Sequence, residues 1–289
     1  MKRFVITLCL VLAFSQFANA QPDTEVYLLN LIYKNGEYVV ERPVSVSKKN
    51  PGYDNQPSFS GDGQFLYYVA TRNGQTDIVA VNILNKSRTW FTNTPEGGEY
   101  SPNLSPDKQF VSAVQLENSG RQLLWRYSGE SDKQAILIPD AKIGYYCWTD
   151  NRTVVAFVLG EPNTLEVFNV TKNRRKKITE NVGRSIHRIP GSKKASFISK
   201  QDKEWNIMSL NPKSGKTKPI TCSLTGVEDM AWTAEKQILM GKDDKLFVKN
   251  PGKDKDWKEI PSFTRFGFKG VTRLAVSPDG TRLAIVASE

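Results

Sequence analysis

The residue types that most often carry out acid–base or metal chemistry are scarce in this chain. It contains one histidine, His187, among 289 residues. A metal site built from three histidines, or from two histidines and a carboxylate, is therefore excluded within the chain. A serine–histidine–aspartate triad would have to use His187, and the chain has no Gly-x-Ser-x-Gly nucleophile motif. A single histidine at the start of a predicted strand is typical of a structural residue.

Cysteine chemistry is also weakly represented. Of three cysteines, Cys9 falls within a predicted signal peptide, and Cys147 and Cys222 lack any Cys-x-x-Cys spacing. The repeat described below assigns Cys147 to an inner strand and Cys222 to the end of an outer strand in the next repeat. Because a disulfide requires Cα atoms within about 7 Å of each other, we predict that both thiols are unpaired.

The N-terminal twenty residues, "MKRFVITLCLVLAFSQFANA", have the pattern of a secretory signal. Lys2 and Arg3 precede an apolar run from Phe4 to Phe14, and the segment ends in Ala18-Asn19-Ala20. The apolar run is shorter than the roughly 20 residues that a transmembrane helix needs. We therefore expect cleavage after Ala20, no transmembrane span, and a periplasmic or secreted protein. The net charge of +10 falls to +8 without Lys2 and Arg3, and export argues against nucleic acid as the partner.

The elements that would position any site follow from an internal repeat. The C-terminal "LAVSPDGTRLAIV" recurs as "PSFSGDGQFLYYV" from residue 57 and as "PNLSPDKQFVSAV" from residue 102, with weaker copies in between. The copies align on one apolar residue just before a turn, at a period of 41 to 45 residues. These anchors, which we expect to pack between neighbouring repeats, are Phe59, Leu104, Trp148, Ile189, Trp232 and Val276.

Each repeat has the strand pattern of a propeller blade. After the first hairpin come "TDIVAVNI" at 76–83, the turn "LNKS" and "RTWFTNT" at 88–94, which indicate two further short strands. Four strands in each period of this length predict an all-β fold, a β-propeller of six blades. The predicted organisation is a signal peptide at 1–20 and a single propeller domain at 21–289.

The two ends of the chain are predicted to share the last blade. Residues 24–46, "TEVYLLNLIYKNGEYVVERPVSV", match the outer half of a blade and have no inner hairpin of their own. Residues 275–289 match an inner half and have no outer hairpin. Two N-terminal and two C-terminal strands would therefore complete the sixth blade and close the ring without an open edge.

The repeat resembles that of a known family. The "SPDG" turn after an apolar residue, followed by an alternating strand and then an Asp-Ile/Val-x-x-x-Asn/Asp strand, is similar to the TolB-like six-bladed propeller repeat. The resemblance covers residues 24–289 and implies a fold more than a function. TolB itself carries an α/β domain ahead of its propeller; we expect none here, since the residues before the first inner hairpin are used for closure.

Propellers commonly bind ligands at the mouth of the central channel, where the chain leads into each innermost strand. Counting back from the anchors predicts a polar mouth that binds a peptide, a carboxylate or Ca²⁺, for which carboxylate oxygens are suitable ligands. Solvated loop ends without a ligand are the alternative. The candidate residues, which include four acids, are Asp54, Asn55, Glu99, Tyr145, Arg184, Glu228, Asp229 and Arg273.

A second candidate surface is basic. The sequence "KNRRKK" places Lys172, Arg174, Arg175, Lys176 and Lys177 at or beside a predicted turn between third and fourth strands, on the outer rim of the face opposite the mouth. This basic rim would bind an anionic surface, either an acidic protein or lipid headgroups. Lysine-rich turns that serve solubility are the alternative.

These features favour a non-catalytic, TolB-like module of the bacterial cell envelope, most simply a monomer, that binds another envelope protein or a peptide. No cofactor is expected apart from a candidate Ca²⁺. The alternative function is a Ca²⁺-dependent hydrolase or a lactonase-like propeller enzyme that uses the carboxylates of the channel mouth. The single histidine disfavours much metal and triad chemistry, but it leaves carboxylate-based catalysis open.

Overall fold

The computed structural model describes residues 23–47, 50–128 and 134–288, so the predicted signal peptide and its cleavage site lie outside the described residues. The first two strands are β1 (Thr24–Lys34) and β2 (Glu37–Ser45). Blade one contains β3 (Asn55–Phe59), β4 (Phe65–Arg72), β5 (Gln75–Asn82) and β6 (Arg88–Trp90). Blade two contains β7 (Gly98–Leu104), β8 (Val111–Leu116), β9 (Gln122–Tyr127) and β10 (Gln134–Ile138).

Three more blades follow in chain order. Blade three contains β11 (Ile143–Asp150), β12 (Thr153–Val158), β13 (Thr164–Asn169) and β14 (Arg174–Glu180). Blade four contains β15 (Val182–Arg188), β16 (Ala195–Ser199), β17 (Asn206–Leu210) and β18 (Thr217–Cys222). Blade five contains β19 (Met230–Trp232), β20 (Ile238–Lys242), β21 (Lys245–Lys249) and β22 (Lys258–Glu259). A single helical turn, α1 (Pro261–Thr264), leads to β23 (Lys269–Val276) and β24 (Arg282–Ser288).

The sixth blade is shared between the chain ends, as predicted. Its strand order is β2-β1-β24-β23, so the N-terminal hairpin completes the C-terminal one. Strand β1 pairs antiparallel with β24 from Thr24↔Ser288 to Asn30↔Arg282 without a register shift. The six-bladed all-β propeller and its closure by two strands from each end are therefore confirmed.

The repeated turn between the first two strands of a blade is held by its own side chains. In blade six, Ser277 Oγ donates a hydrogen bond to Asp279 and accepts one from the Arg282 N–H at 2.9 Å. Gly280 follows at φ +74°, the left-handed conformation that glycine adopts at least cost. Ser60 and Asp62 make the equivalent contacts in blade one. The "SPDG" and "SGDG" sequences thus encode one turn geometry.

The core consists of the junctions between blades. Among the described residues, six clusters of buried apolar side chains each join two neighbouring blades. At the closing junction, Val26 and Val286 of blade six pack with Leu66 and Tyr68 of blade one. Most of the predicted anchors lie in or against these clusters, namely Phe59, Leu104, Trp148, Trp232 and Val276.

The anchor predicted for blade four is wrong by one residue. Ile189 lies beyond β15, and its N–H donates to the Lys194 carbonyl in the turn, as the Ser60 N–H donates to Phe65 in blade one. The structural equivalent of the anchor is therefore Arg188, which pairs with Ala195. The alignment selected Ile189 because it is the only apolar residue at that turn, whereas the hydrogen bonds of the turn set the register.

Both cysteines of the described residues are free thiols, which confirms that prediction. Cys147 lies on the inner strand β11, where burial raises the pKa of its thiol to about 12. Cys222 lies at the exposed end of the outer strand β18. A buried thiol with so high a pKa stays protonated and unreactive at neutral pH. Among the described residues, no helix has the length and apolarity needed to cross a membrane.

Candidate functional site

The central channel contains a cavity to which every blade contributes. Residues of all six innermost strands, β3, β7, β11, β15, β19 and β23, line a cavity of about 640 Å³. Each of these strands is hydrogen-bonded to its own blade on one side only, so its other edge borders the channel. We define the channel mouth as the end where the innermost strands begin; it is formed by Gln56, Ser101, Tyr145, Arg184, Asp229 and Arg273.

Five of the six innermost strands shift register near the mouth, and β3 and β7 share one kind of bulge there. Gln56 and Ser101 both have positive φ, at 55° and 53°, and each is followed by proline. The pairing of β3 with β4 shifts register between Asn55 and Ser58, and β7 shows the same irregularity against β8. The two bulges contact each other, because the Ser101 N–H donates to Gln56 Oε1 at 2.6 Å. Bulges of this kind re-aim side chains beside functional sites.

Asp229 joins two arginines at the mouth. Arg273 Nη1 lies 2.6 Å from Asp229 Oδ1, and Arg184 Nη2 lies 2.6 Å from Asp229 Oδ2. Burial alone would raise the pKa of Asp229, but the charges of Arg273 and Arg184 outweigh it and lower that pKa. Asp229 is therefore a carboxylate at neutral pH, and it connects blades four, five and six.

Arg273 also reaches across the channel. Its Nη2 donates a hydrogen bond of 2.9 Å to the hydroxyl of Tyr145, and its guanidinium carbon lies 4.9 Å from the centre of that ring. Arg273 belongs to blade six and Tyr145 to blade three, which face each other in a ring of six. We call Asp229, Arg273 and Tyr145 the mouth bridge, because they connect opposite walls of the channel.

Glu228 lies beside the mouth bridge and is already paired. One of its oxygens accepts the backbone N–H of Arg184 at 2.9 Å, and the other forms an ion pair with Lys200. Lys200 also lies 4.3 Å from the ring centre of Trp205. Glu228 therefore fixes the start of β15 against blade five. The structure thus brings together Tyr145, Arg184, Glu228, Asp229 and Arg273, five of the eight predicted mouth residues.

The other three predicted mouth residues are buried between blades and do not line the channel cavity. Asp54 accepts a hydrogen bond from the Asn50 side chain, and Asn55 donates to Thr24 at 3.3 Å. Glu99 accepts hydrogen bonds from Thr92, Thr94 and Tyr127 of blades one and two. Burial raises the pKa of Asp54 and that of Glu99 to about 7. The carboxyl groups of Asp54 and Glu99 therefore affect the stability of the fold and are not part of the channel mouth.

Asp54 and Glu99 make the stability of the ring depend on pH. From about pH 4 to 7, the folded protein keeps protons on these carboxyls that the unfolded chain has released. The free energy of unfolding should therefore fall as pH rises through this window, by up to about 1.4 kcal/mol per pH unit for each carboxyl, and then level off. Urea unfolding at half-unit pH steps measures it. The double variant Asp54→Asn, Glu99→Gln should abolish this fall and leave the smaller rise that the lowered pKa of His187 produces between about pH 4 and 6.5; an unchanged slope would contradict the assignment.

A calcium site has little support in the geometry. Within residues 23–47, 50–128 and 134–288, no group of three or more histidine, cysteine, aspartate and glutamate side chains is arranged to hold a metal ion. Asp54 and Glu99, two of the acids that the sequence offered as oxygen ligands, do not line the cavity that Asp229 lines. The candidate donors thus lie apart from one another.

The single histidine forms part of the channel wall. His187 Nε2 lies 2.9 Å from Ser185 Oγ, which also accepts the N–H of Met230 at 3.1 Å. Burial lowers the pKa of His187 to about 4, so the ring is neutral at physiological pH and is a weak base. No carboxylate among the described residues hydrogen-bonds to this ring. The hydrogen bond between His187 and Ser185 lies within β15, and Ser185 joins blade four to blade five through the Met230 N–H, so these contacts are structural.

The basic rim lies at and beside the turn between β13 and β14, the third and fourth strands of blade three. Arg174, Arg175, Lys176 and Lys177 lie in β14, the outermost strand of blade three, and Lys172 alone lies in the preceding turn. All five are exposed. Charged side chains on an outermost strand prevent edge-to-edge pairing with other sheets, which accounts for part of this cluster. Binding of an anionic surface by the basic rim stays a prediction.

Two mouth residues, Gln56 and Ser101, were missed by the sequence reasoning. Counting back from the anchors included these positions, but only charged side chains, an asparagine and a tyrosine were selected from them. The signal that would have found them is the aligned residue–proline pair in "NQPS" and "YSPN". Proline restricts the preceding residue, so this pair marks an irregular start of the innermost strand.

The architecture defines a class of protein, the six-bladed β-propeller. Solved structures similar to it include TolB proteins, so the chain is TolB-like in fold, as the repeat predicted. The structure aligns with a putative TolB from Agrobacterium tumefaciens at a TM-score of 0.66 and 12% identity, over 92% of this chain and 98% of that chain. TolB from Acinetobacter baumannii aligns at 0.57 and 13% identity, over 92% of this chain and 64% of that chain.

Similarity extends to propellers with other roles. A chain in a nidogen/laminin complex aligns at a TM-score of 0.57 and 10% identity, over 91% of this chain and 98% of that chain. Structures of a puromycin hydrolase and an oligogalacturonate lyase also share the fold. No protein-family model and no curated protein sequence matches the chain. At these identities the similarities establish the fold, and function must be argued from the site.

Proposed function

We propose that this protein is a non-catalytic binding module of the cell envelope that takes a segment of another polypeptide at its channel mouth. The observation that carries the proposal is the mouth itself. Charged and aromatic side chains from several blades converge there, above a cavity of about 640 Å³ that is large enough for side chains of a partner. Propellers in TolB proteins and in the nidogen/laminin complex are consistent with such a role.

The channel walls favour a polypeptide as the occupant. Each innermost strand has one edge that is not paired within its blade, so backbone donors and acceptors border the channel. An extended peptide uses such groups through its own backbone, while the side chains of the mouth supply selectivity. The bulges at Gln56 and Ser101 interrupt the regular strand edge, so a peptide could contact the backbone there in ways other than regular strand pairing.

The chemistry of the channel supports binding over catalysis. His187 is neutral at physiological pH because burial lowers its pKa to about 4, and its partner Ser185 is held by the Met230 N–H. Asp229 is committed to two arginines. A hydrolase or lyase, as among the proteins that share the fold, would need a base or a metal site that is free to react. This account therefore disfavours the Ca²⁺-dependent hydrolase alternative.

Export is the remaining part of the proposal. It rests on the sequence of residues 1–20, which has the charge, apolar run and small residues of a secretory signal. A periplasmic or secreted location places the mouth where envelope proteins are accessible. N-terminal sequencing of protein from the periplasmic fraction should begin at Gln21; a mature chain that begins at Met1 would contradict export.

Site-specific photo-crosslinking tests the proposed binding site. A chain with p-benzoylphenylalanine in place of Tyr145 places the reactive group in the mouth, whereas the same substitution at Leu84 places it in an exposed turn on the opposite face. Irradiation of intact cells should give a discrete polypeptide adduct from position 145 and none from position 84. Equal adducts from both positions, an adduct from position 84 alone, or none from either would contradict the proposal.

A further inference from the structure

The channel mouth has more positive than negative charge. Arg184 and Arg273 share the single carboxylate of Asp229, and the neighbouring Glu228 is balanced by Lys200. These five described residues therefore sum to one net positive charge, at a place where the side chains of Arg273 and Asp229 are only 14% and 11% exposed. An uncompensated charge in such a place attracts an anion more strongly than it would on an open surface.

The hydrogen bonds of Arg273 show where an anion would be accepted. Nη1 is used by Asp229, whereas Nη2 donates to Tyr145, whose hydroxyl is a neutral acceptor. A carboxylate in place of that hydroxyl would form a charge-assisted hydrogen bond, which is shorter and about twice as strong. A carboxylate in this position would therefore bind Arg273 Nη2 more strongly than the Tyr145 hydroxyl does.

We propose that the channel mouth recognises a carboxylate of the bound polypeptide, and that this carboxylate replaces the Tyr145 hydroxyl on Arg273 and opens the mouth bridge. This inference rests on the proposed function and names the chemistry of the bound segment. The carboxylate has two sources in a polypeptide, the chain terminus and an aspartate or glutamate side chain. Asp229 would keep Arg273 in place for a carboxylate from either source, because the two oxygens of Asp229 hold Arg184 and Arg273.

Short peptides of small residues serve as probes for this site. Calorimetric titrations would compare N-acetyl-Gly-Ala-Gly-Ala with a free C-terminus, the same peptide as its C-terminal amide, and N-acetyl-Gly-Glu-Gly-Ala-amide. We expect at least one carboxylate-bearing peptide to bind about tenfold or more tightly than the amide. The peptide that does so identifies the source. Trigalacturonate, which offers carboxylates without a peptide backbone, should bind more weakly than that peptide.

Two substitutions at the mouth bridge should change the affinity in opposite directions. Arg273→Gln should weaken binding of the carboxylate peptide about tenfold or more, because it removes the charged donor. Tyr145→Phe should strengthen binding by about threefold to tenfold, because it removes the competing hydroxyl and keeps the ring. Arg126→Gln is the matched control, because Arg126 is an exposed arginine of β9 that does not line the channel cavity. We expect it to change the affinity less than twofold.

The outcomes separate this inference from the proposed function. Binding of the amide as tightly as the acid, or weaker binding by Tyr145→Phe, would overturn the carboxylate inference while the crosslinks from position 145 still stand. Tighter binding of trigalacturonate than of any peptide would overturn the polypeptide part. Failure of every peptide to bind the wild-type protein would also count against the inference. Because Tyr145→Phe removes only a hydroxyl, its result remains decisive if Arg273→Gln folds poorly.

Discussion

Removing residues 275–289 is expected to unfold the whole ring, and not the sixth blade alone. The deletion takes away β24 and the end of β23, so β1 loses the strand with which it pairs and the β1–β2 hairpin is left without the rest of its blade. It also removes Leu283, Ile285 and Val286, which are completely buried in the two junctions on either side of blade six. Both neighbouring blades would then expose apolar faces and an open edge.

Circular dichroism and thermal unfolding measure this effect. The truncated protein should lack a cooperative transition, whereas a chain that ends at Ala287 should unfold within a few degrees of the wild type. Ser288 is exposed and stands at the last pair of the β1–β24 ladder. A truncated protein that still unfolded cooperatively at a similar temperature would show that the closing blade is dispensable. Such a result would contradict closure by the two ends.

The second large effect is expected from Asp229. Substitution by asparagine leaves two guanidinium groups without their shared carboxylate, in a place where water solvates them poorly. Removal of one partner from a buried ion pair typically costs 3 to 5 kcal/mol. We expect about 3 kcal/mol here, the low end of that range, because the Arg184 side chain is 36% exposed.

Urea unfolding of Asp229→Asn and Glu180→Gln gives the matched comparison. Glu180 pairs with Lys177 at 2.9 Å on the surface, so its substitution should cost less than about 1 kcal/mol. In addition, Asp229→Asn should release Arg273 and Arg184 and alter the mouth, which a change in the accessibility of Tyr145 would report. Equal losses for the two variants would mean that the mouth bridge contributes no more than a surface ion pair.

The fold was predictable because its signals are local and repeated. "SPDG" specifies a turn through hydrogen bonds of Ser277 and Asp279 to their own neighbours, so each copy can be recognised without tertiary information. The closure was predictable because the half-blades at the two ends complement each other in strand number. In blade four the turn has a different sequence, and there the alignment placed the anchor at Ile189, one residue after its structural position.

The mouth was only partly predictable. Counting back from the anchors assumes a regular strand, in which side chains alternate between two faces. The bulges after Asn55 and Tyr100 break that alternation, and Asp54 and Glu99 are buried between blades. The contact between Arg273 and Tyr145 depends on ring geometry, since the two residues are 128 positions apart in the chain. No local pattern encodes such a contact.

The separation between buried and mouth acids has a functional consequence. Asp54 and Glu99 hold neighbouring blades together and respond to pH, whereas Asp229 positions the arginines of the mouth. The contribution of carboxyl groups to the pH dependence of stability between about pH 4 and 7 comes from Asp54 and Glu99, whereas the carboxyl group of the mouth bridge is Asp229. Substitution of Asp54 or Glu99 should leave binding at the mouth largely unchanged. Substitution of Asp229 should leave the pH dependence caused by Asp54 and Glu99 largely unchanged, because distant sites act nearly independently.

The most direct test of the central claim is the mass spectrum of the adduct formed from position 145. Fragmentation of the crosslinked peptide identifies the partner segment that lies in the channel mouth. We predict a polypeptide segment whose attachment point lies within a few residues of its C-terminus, an aspartate or a glutamate. A segment without a carboxylate near the attachment point, or an adduct with a lipid or a polysaccharide, would contradict it.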